Sequence, residues 1–336
     1  MKEKIIEKKK VNKLLSTLSE SYLIFVPGEE NDVSQLCKFS PDREIPWDYS
    51  NTLIPPKDIF FPQNETLYEY KGQKVTESGF KVPSTIIFGI RPCDVHAFSM
   101  MDKVFDSEDF QDPYYLERRK ATTVVSLSCT NPGITCFCTC LNEGPDSDTG
   151  ADVILFDIGE KILARTITEK GEKLLNTYEK SFAAAQKEDS DKRDDLVKSA
   201  REKIQAQVNI VNLKEKLDQA FDADFWDTLH MKCLGCAMCT YLCPTCHCFD
   251  ITDETERDMG RRIRCWDSCQ FPLFTLHTSG HNPRSTYKER MRQRIMHKFN
   301  YCPENFNETF CVGCGRCIVN CPVNLDIREV IKEING

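Results

Sequence analysis

Short runs of β-branched and aromatic residues, each closed by proline, glycine or charge, punctuate the first half of the chain. They predict strands at Tyr22–Val26, Thr85–Ile90, Thr122–Leu127, Val153–Asp157 and Lys161–Thr166. Two of these run straight into cysteine: Thr85–Ile90 leads to Arg91-Pro92-Cys93, and Thr122–Leu127 leads to Cys129. Loops at strand ends are where α/β folds place ligands. Beyond residue 168 the period changes. Leu174, Tyr178 and Phe182 recur every fourth position, as do Leu196, Ala200, Ile204 and Val208, then Leu213, Leu217 and Phe221. This is the amphipathic helical pattern, and the polar run Lys187–Asp195 reads as a solvated loop within it. The segment after Phe249 reads as helix-rich, most strongly over Lys288–Phe299. The pattern predicts an α+β (or α/β) domain over residues 1–167 and a helical spacer over 168–230.

Charge and composition narrow the function. A net charge of −8 gives no basic surface for phosphates, so nucleic acid is not an expected partner. The opening MKEKIIEKKKVNKLL has no apolar core of a secretory signal, and no stretch approaches the ~20 apolar residues of a membrane span. A cytoplasmic, reducing, low-oxygen setting is expected. The chain carries 19 cysteines, clustered in C-x-x-C runs with long bare stretches between them. Metal sites need such clustering because several thiolates must converge on one small object; a disulfide framework does not.

Cys233-x2-Cys236-x2-Cys239-x3-Cys243-Pro244 is the bacterial ferredoxin run, and it recurs as Cys311-x2-Cys314-x2-Cys317-x3-Cys321-Pro322. Three thiolates two residues apart wrap one face of a cubane, while the displaced fourth cysteine turns to the other cluster. This spacing assigns Cys233, Cys236, Cys239 and Cys321 to one [4Fe–4S] cluster, and Cys311, Cys314, Cys317 and Cys243 to a second. A zinc ribbon also uses C-x2-C pairs, but not two complete runs each ending in Cys-Pro. The wide gap between the runs predicts an α-helical ferredoxin-like domain with a long insertion, over residues 231–336.

Other cysteines form two further groups. Cys93, Cys129, Cys136, Cys138 and Cys140 lie on loops after strands, where four of them could hold a third cluster or remain structural thiols. Cys246, Cys248 and Cys269 lie beside the first quartet and could serve a fourth. Cys243-x-x-Cys246-His247 also spells a haem-attachment motif, but Cys243 already completes a quartet. Cys37, Cys265 and Cys302 have no assignment, and neither His96 nor His281 earns a role. No G-x-G-x-x-G fingerprint follows a strand, so no dinucleotide site is read.

Arg91-Pro92-Cys93-Asp94, Cys129 with Cys136-Phe137-Cys138, Cys243-Pro244-Thr245-Cys246 with Cys248-Phe249-Asp250, Trp266 with Ser268-Cys269, Gly280-His281-Asn282 and Cys311-Val312-Gly313-Cys314-Gly315-Arg316-Cys317 belong together. Their combination resembles the 4Fe–4S dicluster family, whose members include the beta subunits of sulfhydrogenases and one of the subunits of anaerobic sulfite reductase. The resemblance covers residues 80–160 and 230–330. It implies an iron–sulfur electron-transfer subunit that takes electrons from a flavin/NAD(P)H subunit and passes them to a catalytic redox subunit of hydrogenase, sulfite reductase or heterodisulfide reductase type. It also implies a third cluster on Cys93, Cys129, Cys136 and Cys138, with Cys138 favoured over Cys140. The alternative is an enzyme with a substrate-reactive cluster near Cys246, Cys248 and Cys269.

Overall fold

The computed structural model describes residues 3–77 and 81–336; Met1 and Lys2 of the charged opening segment lie outside them. The chain forms two compact units. One comprises residues 1–56, 83–207 and 312–315; the other comprises 57–82, 208–311 and 316–336. The first half contributes strands β1 (Glu3–Glu7), β2 (Leu23–Glu30), β3 (Val33–Lys38), β4 (Asn64–Lys71), β5 (Lys74–Glu77) and β6 (Thr85–Ile90). Then come β7 (Thr122–Leu127), β8 (Val153–Asp157), β9 (Lys161–Thr166), β10 (Ala183–Ala184), β11 (Phe249–Glu256) and β12 (Met259–Trp266).

The first unit is built on an eight-stranded sheet ordered β10-β1-β9-β8-β7-β6-β2-β3. Its centre, β8-β7-β6-β2, is parallel, and antiparallel strands flank it on both sides. β6 and β7 are buried along their whole length, as the covered middle of a parallel sheet requires. The helix Val11–Leu18 buries Val11, Leu14, Leu15 and Leu18 in a core shared with Ile24, Ile86, Val125, Leu155 and Leu174. The stretch 168–230 is divided between the units after Gln207. The polar run expected to be a loop is the start of a helix, Lys187–Glu202. A Gln186/Asp189 capping box starts this helix, and ion pairs from Lys161 to Asp189 (2.9 Å) and from Arg193 to Glu3 fasten it. Only Asp189 and Ala200 are buried on it, so its sequence shows almost no apolar stripe.

The second unit combines short helices with a four-stranded antiparallel sheet ordered β11-β12-β4-β5. The helix-rich expectation after Phe249 is therefore corrected: a hairpin occupies residues 249–266 before the helix Tyr287–Met296 begins. β11 is exposed throughout, and cross-strand pairs such as Arg262–Asp253 (2.7 Å) hold the hairpin together. β12 joins β4 through Arg264, whose guanidinium grips the buried Glu65 carboxylate with Nε at 2.9 Å and Nη2. Arg264 also lies over the Phe61 and Phe249 rings. Glu65→Leu removes the carboxylate that this buried guanidinium grips. We expect it to lower stability by about 3–5 kcal/mol, against under ~1 kcal/mol for Arg261→Ala in an exposed pair; paired denaturant titrations check this.

Candidate metal centres

In the first unit, parallel pairing aligns the ends of β6 and β7, with Ile90 opposite Ser126. β6 leads into the helix Pro92–Phe105, where Pro92 has the fixed φ favoured in a first turn. Cys93 thus sits at a helix N-terminus, whose partial positive charge favours a thiolate. Cys129 follows β7. Cys93, Cys129, Cys136 and Cys138 line one cavity, together with Arg91 and Cys314. The Val312–Gly315 loop lies on the 135–138 loop: the Phe137 N–H donates to the Gly313 carbonyl at 2.8 Å. A Cβ at Gly313 would stand 2.5 Å from the Cys138 nitrogen, and its φ of +63° also suits glycine. Cys140 does not line the cavity; its thiol donates to the Ala206 carbonyl at 3.1 Å. Burial, reinforced by neighbouring thiols, pushes Cys136 up to about 11 and Cys138 up to about 12. Metal must therefore displace protons from these thiols when it binds. The fully buried Arg91 donates to the carbonyls of Ser128 (2.7 Å), Trp47 (3.2 Å) and Tyr49, yet its Nε has no partner.

In the second unit, Cys233, Cys236, Cys239 and Cys321 line one cavity, joined by Cys317, Gln270 and Arg294. Gly235 (φ +63°) and Ala237 (φ +62°) turn the loop through left-handed conformations. Backbone N–H groups already point at sulfur: Gly235 donates to Cys233 at 3.4 Å, and Leu325 donates to Cys321 at 3.2 Å. Such bonds are among the factors that set a cluster's potential. Of the other quartet, Cys243, Cys311 and Cys317 belong to this unit, whereas Cys314 belongs to the first. Among the described residues, no three His, Cys, Asp or Glu side chains converge as a single ion requires.

The surroundings were not visible in the cysteine spacing. Arg290, Arg294 and Lys298 follow one another at intervals of four along the helix Tyr287–Met296 and the π-turn His297–Tyr301, and all three are buried. Lys298 Nζ lies 3.2 Å from the Cys243 sulfur and donates to Thr245 Oγ1 and the Phe310 carbonyl, each at 2.8 Å. Arg294 Nη1 points at the Cys246 sulfur from 3.6 Å, and its buried Nη2 has no acceptor. Lys57 donates to the Cys246 carbonyl at 2.8 Å and stands 4.1 Å over the Trp266 ring. None of Lys57, Arg294 and Lys298 has a carboxylate ion-pair partner among the described residues. Burial alone would push the Lys298 and Arg294 pKa values down, but the adjacent cysteine sulfurs carry both upward. A hydrogen bond from the Cys246 thiol, aided by Lys298 and Arg294, holds Cys243 well below the ordinary thiol range despite burial. The donor set therefore fits iron–sulfur clusters: it offers thiolates, N–H groups aimed at sulfur and an orphaned guanidinium N–H.

The remaining cysteines separate by environment. The Cys248 thiol hydrogen-bonds Cys269, which together with Gln270 holds Cys269 down at about 6. Cys37 and Cys302 are buried, and burial pushes Cys302 up to about 12. Cys265 lies in β12. His96 faces Glu143 at 3.3 Å, and His281 pairs with His277.

Residues 232–325 match the family model of a 4Fe–4S dicluster domain. The chain is 32% identical over 319 residues to the sulfhydrogenase 2 subunit beta of Pyrococcus furiosus, covering 94% of this chain and 93% of that protein. These similarities, with the cysteine runs, mark an iron–sulfur electron-transfer protein.

Burial, with neighbouring His247 and Lys298 adding to it, drives His297 down to about 3. It stays neutral in the fold while its unfolded counterpart binds a proton below about pH 6.5. Stability therefore falls as pH drops from about 6.5 toward 3, by about 1.4 kcal/mol per pH unit from this group. His297→Phe should flatten the slope by that amount in anaerobic denaturant titrations between pH 6 and 5.

Proposed function

Because the chain belongs to the 4Fe–4S dicluster family that includes sulfhydrogenase beta subunits, we propose that it is the relay of a multi-subunit oxidoreductase. Electrons enter from a flavin/NAD(P)H subunit and leave to a catalytic redox subunit. Cys233, Cys236, Cys239 and Cys321 hold one cluster; Cys311, Cys314, Cys317 and Cys243 hold a second; Cys93, Cys129, Cys136 and Cys138 hold a third. Each bound [4Fe–4S] cluster supplies one-electron chemistry at a potential tuned by its surroundings. The observation that carries the proposal is the set of buried cations gathered on the cysteine loop without a carboxylate ion-pair partner among the described residues: Arg294 and Lys298 on cysteine sulfur, and Lys57 on the Cys246 carbonyl.

The chain's own residues bind, shield and expose. Ile295 and Ile327 line the cavity of the first quartet and keep water from one side of it. On the other side Cys236 is exposed, with Leu234 and Met238 also open to solvent. An apolar surface beside an exposed ligand suits docking of a redox partner, because potential and distance are set by protein rather than water. Ile134, 95% exposed, gives the cysteine loop of the first unit a similar apolar tip. No helix among the described residues is long and apolar enough to cross a membrane.

The closeness of the Cys248 thiol to Cys269 and Cys246 favours a second reading, a substrate-reactive or fourth cluster at Cys246, Cys248 and Cys269. Iron and acid-labile sulfide in anaerobically purified protein separate the two. About twelve irons per chain are expected, falling to about eight in Cys129→Ser with Cys269→Ser unchanged. About sixteen, reduced by Cys269→Ser, would favour the second reading; zinc without sulfide would defeat both.

A further inference from the structure

Adding an electron to a cluster adds a negative charge, so a fixed cation nearby favours the reduced form and raises the reduction potential. The basic stripe of the second unit is not shared evenly between the two cysteine sets. Lys298 contacts Cys243 directly and lies close to Cys311, both of the second quartet. Arg294 stands between the sets, near Cys239 of the first and near Cys243 and Cys317 of the second. The first quartet has the exposed Cys236, where water screens charge. The surroundings of Cys243 are buried, with Lys298 at 3% and Arg294 at 7% exposure, so their charge acts there almost unscreened.

Desolvation works in the opposite direction, because a buried cluster resists an added charge. Contact geometry decides between the two. The Lys298 ammonium is held within 3.2 Å of a ligand sulfur by two further hydrogen bonds, to Thr245 and Phe310, so it cannot swing away to water. Thr245 is itself fixed by donating to the Phe310 carbonyl at 2.8 Å. The π-turn beginning at His297 changes the helical register at this point, and such insertions recur at functional positions.

We propose that Lys298 is a positioning charge that places the cluster ligated by Cys243 above its neighbour in potential, so that within the pair it is the electron sink. This rests on the relay reading above. It also gives the two-cluster segment a direction: electrons pass from the cluster beside the exposed Leu234–Met238 surface toward the buried one.

The test is an EPR-monitored redox titration of the full chain, comparing wild type, Lys298→Gln and Lys298→Arg, with iron and sulfide measured on each sample. The paired clusters are recognised by the splitting each imposes on the other when both are reduced. In Lys298→Gln the higher of the two paired midpoints should fall by at least about 59 mV, a tenfold change in the reduced-to-oxidised ratio. The lower should move by a small fraction of that, and Lys298→Arg should restore the wild-type value. Equal movement of both, movement of the lower alone, or no movement overturns the inference with the relay intact. Protein without paired signals or sulfide overturns the relay itself. If Lys298→Gln does not load iron, Lys298→Met, which keeps the length of the side chain without its charge, takes its place and should lower the higher midpoint alone; an unchanged pair there overturns the inference equally.

Discussion

A guanidinium or ammonium withdrawn from water costs several kcal/mol even after the protein relaxes around it. The second unit takes Arg290, Arg294, Lys298 and Lys57 inside, and among the described residues no carboxylate ion-pairs with the last three. Thiolates are the negative charge that makes this arrangement tenable, and the relation is mutual. The Cys246 thiol, with the cations, lowers the proton affinity of Cys243 in a setting where burial alone would keep it protonated. Arg264 shows the contrasting solution within the same unit, where a buried guanidinium is matched by the Glu65 carboxylate. The chain thus uses acid to neutralise a structural cation and leaves the cations beside sulfur for the metal centre.

The same logic recurs more simply in the first unit. Arg91 stacks on Tyr49 with 3.9 Å from guanidinium to ring centre and, among the described residues, donates to carbonyl groups, which carry partial charge and no net charge. Its positive charge remains beside Cys129 and opposes the rise that burial imposes on that thiol. Both units therefore assemble their cysteines against a buried base, on unrelated scaffolds: strand ends in one and ferredoxin-type turns in the other.

Local features were legible in the sequence and non-local ones were not. β6 and β7 are covered on both faces, so they read as uncharged runs rich in β-branched residues, with sharp ends. The cysteine runs were legible because cluster spacing is a property of a few adjacent residues. The hairpin β11–β12 was missed because one strand is wholly exposed and the cross-strand ion pairs form only after the chain turns at Arg257. The first half of the helix Lys187–Glu202, the run Lys187–Asp195, was missed because a cap and ion pairs, rather than an apolar face, hold it. The Arg290, Arg294 and Lys298 stripe was visible as a four-residue repeat, but bases at that spacing usually face solvent. The signal lay in Met291, Ile295 and Phe299, each one position further on, which are buried beside them.

The second unit draws its strands β4 and β5 from early in the chain and their partner β12 from far downstream, with Thr66 opposite Ile263. During synthesis at about 5–20 residues per second, the early hairpin leaves the ribosome roughly 10–40 s before β12 exists. Throughout that interval one edge of β4 is open to any passing strand. Its composition suits the wait: Glu65, Glu69, Lys71 and Lys74 place charge along a ribbon that would otherwise recruit neighbours. Arrival of β12 brings Arg264 to Glu65, so the pairing that closes the sheet also neutralises one of the charges that had protected it.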